Sequence, residues 1–200
     1  MREPMVGILA LQGDYAEHRR VLESLDVESR WVKHAADLEG LAGLILPGGE
    51  STTMLKFLLG ESLLEPIQQF YEQGGALFGT CAGAILLAKE TRSPQQESLG
   101  LMDITVERNA YGRQLESHVA RDDCPALGGP PLEMVFIRAP IIHRVGPGVE
   151  VLATHRQDPV LVRQGRLLAT TFHPELSKDC RVHSFFVHRV LQSESAFTTL

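Results

Sequence analysis

No run of lysine or arginine marks a phosphate-tracking surface in this sequence, and its 19 basic residues are outnumbered by 25 acidic ones, for a net charge of -6. That excludes nucleic acid as an expected partner, because the cationic face such binding needs is missing. Cysteine is scarce too. Cys81, Cys124 and Cys180 are an odd count at wide spacings, which excludes a disulfide framework and a compact zinc knot and fits a reducing, cytoplasmic setting. Long apolar runs are also lacking. The opening MREPMVGILALQGD reaches Gly13 and Asp14 too soon for a signal peptide or a membrane span, so no membrane is expected to take part. Neither G-x-x-x-x-G-K-[ST] nor a dinucleotide fingerprint occurs, which leaves nucleotide binding without support. There is no internal repeat and no low-complexity tract.

What is present is a chain of 200 residues with 44% hydrophobic content, enough for a full core and expected to form one domain over 1–200. Strands and helices alternate in its first half. MVGILAL (5–11) is continuously apolar, as a parallel strand covered on both faces must be. An amphipathic stretch from Tyr15 to Leu25 follows, then a short strand around Arg30 to Val32 and a third strand in LAGLILPGG (41–49). Ser51 or Thr52 is placed to cap a helix beginning near Met54. SLLEPIQQFYEQGG reads as a helix ended by Gly74 and Gly75, ALFG as a strand, and a further helix begins after Cys81. The pattern predicts an α/β fold with three layers, an open and mostly parallel sheet between helices.

The second half has shorter, partly alternating runs, LMDITVERNAYGRQLESHV, LEMVFIRAP, VEVLATH, DPVLVRQG and RLLATTFHPE. They predict antiparallel or mixed strands at one side of the sheet. The loop RDDCPALGGPP is an excursion. SKDCRVHSFFVHRVLQS reads as a helix with Val182, Phe185, Phe186 and Val190 apolar and Ser177 as its cap.

Three constellations carry chemistry. Gly79-Thr80-Cys81-Ala82-Gly83 places a nucleophile type at a strand-to-helix turn among small residues, the cysteine counterpart of G-x-S-x-G. The amino end of the following helix would favour a thiolate, and the N–H of Ala82 would face an oxyanion. Alone, such a motif is equally a structural cysteine in a glycine-bounded turn. A reactive thiol needs a base, usually distant in sequence. His173 in TTFHPE has Glu175 two positions later, and an extended backbone through Pro174 would project both to one side, giving a Cys81, His173, Glu175 relay. His18, His34, His155, His183 and His188 are better explained as surface or boundary residues. Pro47-Gly48-Gly49-Glu50-Ser51 would expose backbone N–H groups, as an anion nest or the second donor of an oxyanion hole, or would be a plain loop.

GTCAG with FHPE resembles the class I glutamine amidotransferases, whose fold is flavodoxin-like. Together with LALQGDYAEH, LILPGGESTT, VERNAYGRQ and VFIRAP, it resembles the vitamin B6 branch of that superfamily, the glutaminase subunits of pyridoxal 5'-phosphate synthase, from Met5 to about Val190. The resemblance implies hydrolysis of L-glutamine to L-glutamate and ammonia, with Cys81 forming a γ-glutamyl thioester, His173 moving protons and Glu175 orienting it. It implies glutamine contacts from Gly49, Glu50, Ser51, Arg108, Ile137 and Arg138, oxyanion donors at Gly49 and Ala82, and a partner-responsive segment at Gln12 and Gly13. It leaves open which arginine meets the substrate carboxylate. No cofactor and no metal are implied. The implied partner is a TIM-barrel synthase subunit in a large hetero-oligomer, which receives the ammonia and makes the coenzyme as its product.

Cys124 and Cys180 lack a glycine setting and read as structural or merely exposed. Three rivals stay open: a glutaminase subunit serving another synthase, a cysteine hydrolase or peptidase on a similar sheet, and a catalytically silent regulatory subunit.

Overall fold

The computed structural model describes residues 4–108 and 117–192, so the NAYGRQ segment at 109–114 lies outside the described residues. The apolar run of the first strand is buried on both faces as β1, Val6–Leu9, and leads through Gly13 into α1, Tyr15–Ser24. There follow β2, Ser29–Val32, β3, Gly43–Leu46, and the helices α2, Ser51–Gly60, and α3, Leu64–Glu72. β4, Ala76–Thr80, turns at Cys81 into α4, Ala82–Leu87. Eight strands come next: β5, Ala88–Arg92, β6, Met102–Glu107, β7, Ser117–Asp122, β8, Leu132–Ile137, β9, Ile141–Val145, β10, Glu150–His155, β11, Asp158–Gln164, and β12, Leu167–Thr170. α5, Arg181–Phe185, continues into a π-helical turn at Phe186–Val190.

The main sheet runs β10-β11-β12-β4-β3-β1-β2. Its five strands from β12 to β2 are parallel, and β11 and β10 add an antiparallel edge. Alternation along the parallel strands divides the core between two layers. Leu44, Leu46 and Leu77 pack with Met54 and Leu58 of α2 and with Ile67 of α3. Val6, Ile8, Ile45 and Phe78 pack with Leu22 of α1 and Val182 of α5. The expected three layers are therefore present. Because β1, β3, β4 and β12 point the same way, the loops after them meet at one end of the sheet, where open α/β folds place their ligands. Those four loops carry Gln12 and Gly13, Gly48 to Ser51, Cys81, and His173.

Several local expectations need correction. α2 begins at Ser51, and its cap is Glu50, whose carboxylate accepts from the N–H groups of Thr52 and Thr53 at 2.9 and 2.7 Å. Ser51 and Thr52 are already helical. A longer acidic side chain reaches the same orphan amides that a serine at this point would cap. Ser177 does not cap the last helix. It donates to Glu133 and accepts from the N–H of Asp179, and the helix starts after Cys180. The late strands do not all join the main sheet: β5, β6 and β9 form a three-stranded sheet and β7 pairs with β8. β5 and β9 lie in stretches where the sequence pattern marked no strand.

Candidate active site

Cys81 is built into its turn by steric necessity. A β-carbon on Gly79 would lie 2.5 Å from the Gly83 carbonyl carbon, and one on Gly83 would lie 2.0 Å from the Leu46 carbonyl oxygen. Small residues on both sides let the turn close against β3. The cysteine itself takes φ 48° and ψ -100°, a conformation costly for a side chain that has a β-carbon. Its N–H is anchored to the Thr170 carbonyl at 2.8 Å, and its own carbonyl accepts from Ala84 and Ile85. Cys81 is 6% exposed and lines a cavity of about 330 Å³.

His173 enters the same cavity from the loop after β12 and is held by its N–H on the Val135 carbonyl. Its Nδ1 lies 2.8 Å from Oε1 of Glu175 and 3.5 Å from Oδ2 of Asp14. The backbone is not extended here, contrary to expectation. Pro174–Leu176 forms a 3-10 turn, and the bend brings Glu175 back beneath the imidazole. Burial opposes a charge on His173, but hydrogen bonds with Cys81 and Glu175 outweigh it and raise its pKa to about 10. Glu175 is 4% exposed, and burial pushes its carboxyl upward against the pull of His173.

Gly49, Glu50, Ser51, Arg108, Ile137 and Arg138 all line the cavity with Cys81 and His173. Glu50 is held to about 2, because the Thr53 hydroxyl and the Thr52 and Thr53 amides overcome the opposing effect of burial. Ser51 donates to Gln96 at 3.2 Å. Arg108 donates to the Thr52 hydroxyl at 2.7 Å and to the Pro94 carbonyl at 3.3 Å. Ala82 is buried at the first position of α4. Gln12 reaches the loop after β3. Its Oε1 accepts from the Glu50 N–H at 3.1 Å, and Asp14 donates from its backbone to the Gly48 carbonyl.

Two lining residues escaped the sequence reading, Asp14 and Ile85. Asp14 directly follows Gly13, so the loop that carries Gln12 was its available signal; Ile85 looks like any helix core residue. A larger correction concerns His18 and His183, expected as surface or boundary residues. Both are fully buried and bonded to each other at 2.9 Å behind Glu175. His155 is part-buried, against Asp122 at 2.7 Å, whereas His34 and His188 are exposed as expected. Cys124 is buried and Cys180 intermediate. Among the described residues, Asp14, His173 and Glu175 bring donor atoms within 4.8 Å of one another, a spacing a metal ion would accept, although His173 Nδ1 already faces Glu175. No described helix is long and apolar enough to cross a membrane.

The fold and the residues at its strand ends define a class, the glutamine amidotransferases. A solved glutamine amidotransferase superposes with a TM-score of 0.85 at 49% identity, over 91% of this chain and 96% of that one. PurLQS from Thermotoga maritima shares the fold at a TM-score of 0.63 and 18% identity, over 93% of this chain and 98% of that one. Residues 8–192 match the SNO glutamine amidotransferase family, and the chain belongs to it. Pyridoxal 5'-phosphate synthase subunit PdxT of Moorella thermoacetica is 50% identical over 185 residues, covering 92% of this chain and 98% of that protein. Membership makes the chain an enzyme of glutamine amide chemistry.

Proposed function

We propose that the protein hydrolyses L-glutamine to L-glutamate and ammonia through a cysteinyl thioester and passes the ammonia to a separate pyridoxal 5'-phosphate synthase subunit. The observation that carries this reading is the meeting of Cys81 and His173 in one cavity, with Glu175 on the far nitrogen of the imidazole. Cys81 Sγ attacks the side-chain amide carbon, and the carbonyl electrons move onto oxygen. The N–H groups of Gly49 and Ala82 receive that oxyanion. His173, protonated by the thiol, gives its proton to the departing nitrogen, and ammonia leaves as the C–N bond breaks. It then takes a proton from water, whose oxygen attacks the thioester, and the thiol is restored as glutamate departs. Glu175 holds the imidazole's Nδ1–H throughout, so Nε2 stays directed at the reacting atoms.

Gly49, Glu50, Ser51, Arg108, Ile137 and Arg138 form the glutamine pocket in this reading. Gln12 and Gly13 bridge the loop that carries Gly49 to α1, and this supports a role for them in sensing the partner. The partner is a TIM-barrel synthase in a large hetero-oligomer in the cytoplasm, and this chain needs no cofactor of its own. Support comes from the name carried by the relatives, which are subunits of pyridoxal 5'-phosphate synthase. The test is ammonia release from L-glutamine by the purified protein, alone and with the synthase subunit, with Cys81→Ala as the blank. Release that rises with the synthase, and coenzyme formed from its sugar phosphates, is the expected result. No Cys81-dependent release in either condition overturns it.

A further inference from the structure

Behind Glu175 lies a closed polar cluster that the hydrolytic steps leave unused. His18 from α1 and His183 from α5 are each 0% exposed. His18 Nδ1 is 2.9 Å from His183 Nε2, while His18 Nε2 is 3.2 Å from Thr80 Oγ1 and 3.6 Å from Glu175 Oε2. Phe78 packs edge-on against both rings and helps exclude water. Two buried atoms here have no hydrogen-bond partner, Glu175 Oε2 and His183 Nδ1.

A single proton bridges the two histidines, so the cluster has two arrangements. In one, His183 donates from Nε2 to His18 Nδ1. The His18 proton then sits on Nε2, toward Thr80 and the carboxylate, and His183 keeps a bare lone pair on Nδ1. In the other, His18 donates from Nδ1, its Nε2 lone pair accepts from the Thr80 hydroxyl while facing a carboxylate oxygen, and His183 buries an N–H with no acceptor. The first is favoured. It sets a donor against a buried acceptor and avoids an orphaned N–H, which folded proteins tolerate least. Both rings are neutral: burial holds His183 at about 3 and, with His183 and His173 nearby, drives His18 well below the usual range.

We infer that His18, fixed as its Nε2–H tautomer by His183, is a positioning residue that holds the second oxygen of Glu175 and keeps the first oxygen on His173. The inference rests on the hydrolytic reading of Cys81, His173 and Glu175. A separation of 3.6 Å is longer than a hydrogen bond in this resting geometry. Contacts of this kind tighten when the reacting complex forms. Neutrality matters to the role, because a second cation would compete with His173 for the one carboxylate. The titratable groups facing His18 are His183 from α5 and Glu175 and His173 from the loop after β12, with the Thr80 hydroxyl from β4.

Nitrogen NMR of the imidazole rings in the unmodified protein reads the tautomer directly. A neutral His18 with its proton on Nε2 at neutral pH is expected; a proton on Nδ1, or an imidazolium, overturns the inference. Two variants of equal polarity then separate the ring nitrogens. The amide nitrogen of His18→Gln reaches the place of Nε2, whereas that of His18→Asn reaches only the place of Nδ1. With the synthase subunit present, His18→Asn is expected to lower kcat about tenfold at unchanged KM, the loss of one hydrogen bond to a charged group. It also shifts the pH profile of Cys81 alkylation by iodoacetamide, and His18→Gln recovers most of both. Equal losses in the two variants, or an unshifted profile in His18→Asn, overturn the positioning role. Should neither variant fold, the tautomer in the unmodified protein decides. Failure of the underlying reading shows separately, as an alkylation profile that His173→Gln leaves unchanged.

Discussion

Gly48 lies so close under the imidazole of His173 that a β-carbon built on it would sit 2.3 Å from Cε1 and 2.8 Å from Nδ1. The loop after β3 thus sets the position of the ring from below, as Glu175 sets its orientation from behind. The backbone of Gly48 is not in the left-handed region, so alanine is permitted there and only the ring must yield. Gly48→Ala should therefore cost about 1–3 kcal/mol of stability through overpacking. It should cost about a hundredfold in ammonia release, the usual penalty for a misplacement of about 1 Å. Thermal melts beside activity assays check the disproportion; equal activity in the variant would show that the ring has room to move.

The turn at Cys81 yields a second test. Cys81→Ala removes the sulfur but keeps a β-carbon at φ 48°, whereas Cys81→Gly removes both. Both variants should lose Cys81-dependent ammonia release entirely. The glycine variant should melt above the alanine variant, by about 1 kcal/mol, because glycine adopts positive φ without steric cost. Equal melting temperatures would mean that the turn stores no strain.

Much of this was legible from local chemistry. The continuous apolar run in β1, the glycines ringing Cys81 and the histidine two places before a glutamate are each short-range patterns, and each appears in the structure where its physics required. What escaped notice depends on distant residues. His18 stands on an amphipathic helix with a polar neighbour on each side, and nothing local shows that His183, far along the chain, supplies its partner. Glu50 hid its capping role because the shorter serine and threonine beside it fit the usual preference. At Pro174 a 3-10 turn stands where the sequence predicts extended backbone, and it produces the same His173 to Glu175 contact. β5 and β9 pair with β6 in a sheet of their own, and no alternation in their sequences announced that.

Stability should fall on both sides of neutrality, for opposite reasons. The folded protein holds His183 at about 3 against 6.5 for the free side chain, so the unfolded chain takes up the proton first. As pH drops from 6.5 toward 3, His183 removes about 1.4 kcal/mol per pH unit, and His18 acts in the same direction. His173 behaves the other way. Its value of about 10 makes its contribution complete below 6.5, and that contribution is lost as pH rises toward 10. Urea denaturation across this range should trace a dome, and His183→Gln, which does not titrate, should flatten the acid limb alone. An acid limb unaltered in that variant would assign it to other groups.

The two arginines of the cavity should separate by what each holds in the absence of glutamine. Arg108 is part of the wall: its guanidinium secures the Thr52 hydroxyl in the first turn of α2 and the Pro94 carbonyl opposite. Arg138 is exposed at the mouth, at φ 45° just past the end of β8. A charged hydrogen bond to a substrate carboxylate contributes about 1.5–3 kcal/mol, so its loss raises KM about tenfold or more. Arg138→Gln should raise KM in this way with kcat and melting temperature unchanged, since little else leans on that side chain. Arg108→Gln should lower the melting temperature as well, by the equivalent of about 1 kcal/mol, because the Thr52 contact goes with it. Steady-state kinetics with the synthase subunit, paired with thermal melts, assign the roles. A KM effect confined to Arg108→Gln would place the substrate carboxylate against the wall, and one confined to Arg138→Gln would place it at the mouth and leave Arg108 to hold the entrance of α2 in shape.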